Sequence, residues 1–203
     1  MNDKKLLKAA HNLLVDCAGL RRSDSLLIVR ENESLGWYKN DISDFILRSA
    51  NDMGIDAFLH QVGPPEISQD ENFYKKMNQY SCVIFFARIG DQNRFENKGF
   101  SSKRVMSYVR NCESLASTFG TLDYNLNILI KDAIDRLIET SNKIEINCPL
   151  GTKLIGKISQ DNCKTKEVSV LRFPILVSKP IDAKPFSGKV VLNNYLTSTG
   201  SRV

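Results

Sequence analysis

The chain has 203 residues, 42% hydrophobic and 25% charged, which is enough apolar material for a sizeable core and too much for a disordered chain. Its 28 Lys and Arg against 23 Asp and Glu leave a net charge of +5 with the two signs interspersed, so no basic block points to nucleic acid. No apolar run approaches the roughly 18 residues of a membrane span, and MNDKKLLKAAHNLLVDCAG lacks the apolar region and cleavage site of a signal peptide, so a soluble, cytoplasmic protein is expected.

Leu6, Ala9, Ala10, Leu13, Leu14 and Cys17 recur at three- and four-residue spacing with Gly19 beyond them, which predicts a first helix stopped by glycine. Leu26–Val29, an apolar run between polar residues, reads as a buried parallel strand. Between Gly36 and Gly54, the residues Trp37, Ile42, Phe45, Ile46, Ala50 and Met53 make a second helical stripe, with Trp37 and Phe45 expected in the core. A strand at Ile55–Val62, a turn-rich loop at Gly63–Asp70, a short helix at Glu71–Tyr80 and a strand at Cys82–Arg88 follow. Strand and helix alternate as in βαβ units, so the expected fold is α/β: an open, doubly wound, mostly parallel sheet with flanking helices. Lys103–Arg110 suits a fourth strand and Glu113–Gly120 opens helical structure. Leu126, Leu129, Ile130, Ala133, Ile134, Leu137 and Ile138 then predict the strongest helix, from about Tyr124 to Ser141.

From Lys143 the texture changes, because KIEINCP and LGTKLIGKI alternate apolar and polar residues as antiparallel strands do. The expected division is an α/β, Rossmann-like domain over residues 1–141 and a β-rich second domain over 142–203. That second segment is short for a closed sheet and is expected to be reduced, completed by another chain, or cut short. Its strand-like runs Ser169–Lys179 and Gly188–Leu196 offer edges that recruit partner strands through main-chain hydrogen bonds. Phe173, Ile175 and Val177 are the candidate partner-binding edge, for a peptide or protein partner, and a homodimer would use the same chemistry.

Five cysteines without a CxxC pair read as reduced thiols, and two distant histidines, His11 and His60, do not make a zinc site. Neither GxGxxG nor GxxxxGK[ST] follows the first strand, which disfavours nucleotide binding by those modes. In open α/β sheets ligands gather beyond the carboxyl ends of the strands. Arg30 and Glu31 after the first strand, with Arg88, Asp91 and Arg94 after the third, therefore form a candidate ligand-binding crevice. Its arginines would suit a carboxylate or phosphate; the competing reading is loop charges paired with each other.

The pieces LLVDCAGLRRSDSLLIVRE, VIFFARIGDQNRF, LASTFGTLDYNLNILIKDAIDRLIE and NCPLGTKLIGKI, with Gly151 and Thr152 as the best short marker, carry a family resemblance. Together they resemble the leucyl aminopeptidase-like metallopeptidases related to aminopeptidase T, which also include dihydroxypyridine dioxygenase relatives. The resemblance implies an α/β N-terminal domain and a second domain in which two divalent metals, held by carboxylates and histidines, polarise a carbonyl and activate water. In LRFPILVSKPI, with Phe173 and Pro174 at the matching step, the first ligand position falls near Val177, and no Asp, Glu or His occurs from Ser169 through Ile181. The expectation is thus a non-catalytic or incomplete relative, a pseudoenzyme serving as a peptide- or protein-binding module, with no catalytic residue, metal or cofactor in this chain. The alternative is the N-terminal portion of an active metal-dependent aminopeptidase whose zinc or similar divalent ion is bound beyond residue 203.

Overall fold

The computed structural model describes residues 3–66, 71–91, 100–149, 151–158, 170–174 and 186–191. Two compact units emerge, one of residues 1–131 with 166–181 and one of residues 132–165 with 182–203.

In the first unit, α1 (Asp3–His11) buries Leu6, Ala9 and Ala10, then widens into a π-helical turn over Asn12–Cys17. Ala18 N–H donates to Leu13 O, five residues back, at 2.9 Å, and the turn ends at Gly19. The strands β1 (Ser25–Glu31), β2 (Asp56–Val62), β3 (Cys82–Phe86) and β4 (Lys103–Ser107) alternate with α2 (Asn40–Asp52) and α3 (Glu71–Met77). After β4 come two short helices, α4 (Cys112–Ala116) and α5 (Thr118–Thr121), and the long α6 (Tyr124–Glu139). Asn111 caps α4 by accepting from Ser114 N–H at 2.7 Å, while the Ser114 hydroxyl lies 3.3 Å from Asn111 N–H.

The antiparallel strands β5 (Lys143–Asn147) and β6 (Lys153–Ile158) follow, then β7 (Leu171–Phe173) and β8 (Phe186–Val191). The first sheet has the order β2-β1-β3-β4-β7 and every pairing in it is parallel. Ile28 stands opposite both Leu59 and Ile84, Ile84 opposite Val105, and Met106 opposite Arg172. All of β3 and Leu26–Val29 of β1 are buried, which is why these strands read as continuous apolar runs rather than alternating ones. Burying one such side chain stabilises the fold by about 1.5–3 kcal/mol.

The sheet confirms the expected α/β fold, and the chain connections reverse direction between β1 and β3, the place where such sheets open a crevice. The segment expected as a separate domain over 142–203 divides between the two units, because Leu171–Phe173 pairs with β4 as the outer strand of the first sheet. Phe173 is corrected as a partner-binding residue: its ring is fully buried, 6.3 Å from that of Tyr124. Ile175 and Val177 lie outside the described residues.

The helix α6 forms where periodicity predicts it, but the side it turns inward is not its apolar stripe. Tyr124 and Asn127 are buried, and Asn127 reaches Pro174 O at 3.5 Å, whereas Leu126, Leu129 and Ile130 are exposed. The cause lies at its first turn. Asn12, 3% exposed, donates to Gly120 O at 3.1 Å and Leu122 O at 2.6 Å, and its carbonyl accepts from Tyr124 N–H at 2.9 Å. Three bonds from one buried amide set the rotation of the helix start, because each buried polar group left unpaired would cost about 1–3 kcal/mol.

The second unit holds the sheet β5-β6-β8, antiparallel throughout, with β5 and β6 joined by a turn in which Gly151 N–H donates to Cys148 O at 2.8 Å. Gly151 takes a positive φ of 98°, a region open to glycine and strained for other residues. No described helix is long and apolar enough to cross a membrane.

Candidate functional site

The carboxyl ends of β1, β3 and β4 bring together residues far apart in sequence. Glu31 is the last residue of β1 and is 1% exposed. Arg88, in the 3-10 turn Arg88–Asp91 directly after β3, meets it: Nη2 lies 2.8 Å from Oε1, and Nε lies 2.9 Å from Oε1 and 3.1 Å from Oε2. A buried carboxylate needs such a partner, and the guanidinium fork supplies several donors at fixed geometry. The position of the turn depends on Gly90, where a Cβ would stand 2.6 Å from both Phe85 Cβ and Met106 Sδ.

Trp37 joins the pair from the loop between β1 and α2. Asn32 opens a 3-10 turn over Glu33–Leu35 by accepting from Ser34 N–H at 3.0 Å, and Gly36 ends it with φ 75°. Trp37 therefore precedes α2, which begins at Asn40, and does not belong to its apolar stripe. The expectation that it packs into the core is corrected: it is 41% exposed. Phe45, which is on the helix, packs against the core as expected.

The Arg88 Cζ lies 4.8 Å from the Trp37 ring centroid and the Arg110 Cζ lies 5.2 Å from it, both within cation–π reach. The loop is held by Lys39 N–H donating to Arg110 O at 2.8 Å and by the buried Tyr38 hydroxyl donating to Ser107 O at 2.9 Å. Burial pushes the Tyr38 phenol well above its ordinary range, so it stays a donor. Glu33 accepts from Asn40 N–H at 3.1 Å and pairs with Lys39 at 3.2 Å. The Asn40 N–H first, and Lys39 second, hold its carboxyl below the usual range.

Of the crevice residues read from the sequence, Glu31 and Arg88 come together. Arg30 turns to Asp44 of α2, with Nη1 3.0 Å from Oδ1, since neighbouring strand residues face opposite sides. Asp91 accepts from the Tyr108 hydroxyl at 2.8 and 2.9 Å, and Arg94 lies outside the described residues. Trp37 and Arg110 were missed. Gly36, directly before Trp37, marks the turn that keeps Trp37 in the loop and was the available signal for the first.

The thiols of Cys17, Cys82 and Cys112 are buried and each is pushed up to about 12, desolvation being the largest cause, so they remain protonated near neutral pH. Among the described residues no group of three His, Cys, Asp or Glu side chains is arranged to hold a metal ion.

No family model and no curated protein sequence matches this chain. Among solved structures it is similar to the 2,5-dihydroxypyridine dioxygenase from Pseudomonas putida KT2440, with a TM-score of 0.52 and 9% identity over 76% of this chain and 47% of that one. The chain thus spans about half the length of that enzyme, and the likeness shows the fold alone. The resemblance to aminopeptidase T-type metallopeptidases is corrected: the similar structure named above is a dioxygenase, and no family model supports a peptidase. The ligand position drawn near Val177 rested on that resemblance and lies outside the described residues. The segment LLVDCAGLRRSDSLLIVRE that opened the resemblance is a helix–glycine–strand piece, which doubly wound sheets contain for reasons of packing and turn geometry.

Proposed function

We propose that the α/β unit is a non-catalytic binding module that takes an acidic side chain or terminal carboxylate of a peptide or protein partner between Trp37 and Arg110. The observation that carries this reading is the division of labour between two arginines on one ring. Arg88 is anchored by the buried Glu31, whereas Arg110 has no carboxylate partner among the described residues. An anchored cation fixes the indole, and the second guanidinium presents a planar fork suited to a carboxylate. Non-catalytic use is supported by Glu31 being occupied as an acceptor and by the protonated state of the three buried thiols.

Trp37 is the one tryptophan of the chain, so its fluorescence reports this site alone. Titration with acetylated tetraglutamate is expected to change its emission saturably, tetralysine is expected to leave it unchanged, and Arg110→Ala is expected to weaken the acidic peptide by about tenfold or more. Unchanged emission with tetraglutamate, or undiminished binding by Arg110→Ala, would remove the proposal.

A further inference from the structure

A second feature lies at the carboxyl end of the outer strand β2. His60, Gln61, Val62 and Gly63 face Asn72, Phe73 and Lys76 of α3 across a cavity of about 300 Å³. That volume is at the lower end of what small-molecule sites use, at the strand end where α/β sheets hold ligands. The polar groups are unequal in kind. Lys76 Nζ lies 3.0 Å from His60 Nδ1, a contact in which an ammonium donates and the ring nitrogen accepts. One ammonium N–H is spent on the ring and two remain.

Gln61 and Asn72 add amide groups, and among the described residues no carboxylate lines the cavity. The neighbouring Lys75 is turned to Glu71 at 3.7 Å, and Lys76 is the cation among the described lining residues. The other wall is apolar: Phe73 is buried and stacks on His60 with ring centroids 5.5 Å apart and planes at 22°, and Val62 is buried beside it. A half-buried cation beside an aromatic wall attracts an oxyanion that brings an apolar body with it; a bare inorganic anion would leave the wall unused.

We propose that this cavity is a binding site for a small organic acid, its carboxylate on Lys76 and its hydrocarbon or ring against Phe73. The site is independent of the Trp37 site and stands or falls separately. The chain has two histidines, and His11 is exposed on α1 with Asp16 at 3.3 Å, so it serves as an internal control. The test follows both imidazoles by nitrogen-15 NMR while benzoate, benzamide and inorganic phosphate are added in turn to the full chain at constant ionic strength.

Benzoate is expected to move the His60 resonances saturably without moving those of His11. Benzamide, with the same shape and no charge, and phosphate, with charge and no apolar body, are expected to bind at least about tenfold more weakly. Lys76→Met, which keeps the aliphatic stem, is expected to abolish the benzoate shift at an unchanged melting temperature, and Lys76→Arg to retain it. If Lys76→Met lowers the melting temperature, the Lys76→Arg and benzamide arms decide. Silence of His60 toward benzoate, equal response to benzamide, phosphate binding the tighter, or parallel shifts of both histidines would each overturn the assignment.

Discussion

The strands β3 and β5 are each five residues long, yet β3 buries all five and β5 leaves four exposed. In the first sheet a central strand is paired on both sides and covered on both faces, so Val and Ile side chains lose their water whichever way they point. In the three-stranded sheet β5 is paired on one side, and its alternation of Lys, Glu and Asn with isoleucine is suited to a wetted face. The difference teaches where the stability resides: the parallel sheet holds it, and the antiparallel one adds little per residue.

The sharpest way to break that comparison is to cut a methyl-rich side chain from the centre of β3. Ile84→Ala is expected to lower stability by about 3–4 kcal/mol, measured by urea unfolding, because the cavity left in a closed core adds to the lost transfer energy. A loss under about 1 kcal/mol would mean that the sheet is not the stable element.

Next in size is Asn12→Ala, which leaves two carbonyls and one N–H at the start of α6 without their partner and is expected to cost about 2–3 kcal/mol. Hydrogen exchange at Tyr124 N–H should quicken more than exchange in β3; equal changes would place the effect outside the helix start. Glu31→Gln keeps an acceptor for Arg88 but removes the charge, for an expected loss of about 1–2 kcal/mol. A change of Trp37 emission in the same variant would show the ring responding to Arg88; unaltered emission would uncouple the two.

Smaller still is a pH effect confined to the first sheet and its helices. Unfolded thiols ionise from about 9.0, whereas Cys17 and Cys82 hold their protons to about 12, since burial disfavours the thiolate. The unfolded chain binds fewer protons over that window, so stability is fully present below about pH 9 and falls as pH rises toward 12. Cys82→Ala should flatten the decline of the urea midpoint between about pH 8 and about pH 10; an unaltered slope would assign the decline to other groups. The smallest effect is expected at β5, where Ile146→Ala, at a residue 53% exposed, should stay within about 0.5 kcal/mol of the parent chain.

How much was readable in advance differs between sheet and site. The order of elements through β4 was legible because apolar runs and glycine stops are local signals. The candidate site was legible only in part. Glu31 and Arg88 could be placed at strand ends, but their pairing joins positions 57 apart, and nothing in the spacing distinguishes that partner from Arg30, which goes to Asp44. By period alone Trp37 falls into the helical stripe, because a hydrophobic residue at a fitting interval is indistinguishable from one a turn too early.

By itself, then, the sequence determined the α/β character, the alternation of strand and helix and the identity of the buried strands, since these follow from short-range periodicity and burial on both faces. Tertiary structure alone decided that Leu171–Phe173 returns to the first sheet, that α6 turns Asn127 inward while Leu129, 66% exposed, faces out, and that two arginines meet on Trp37. Those outcomes depend on satisfying particular buried polar groups, Asn12 and Glu31 foremost, with partners that only the folded chain brings within reach.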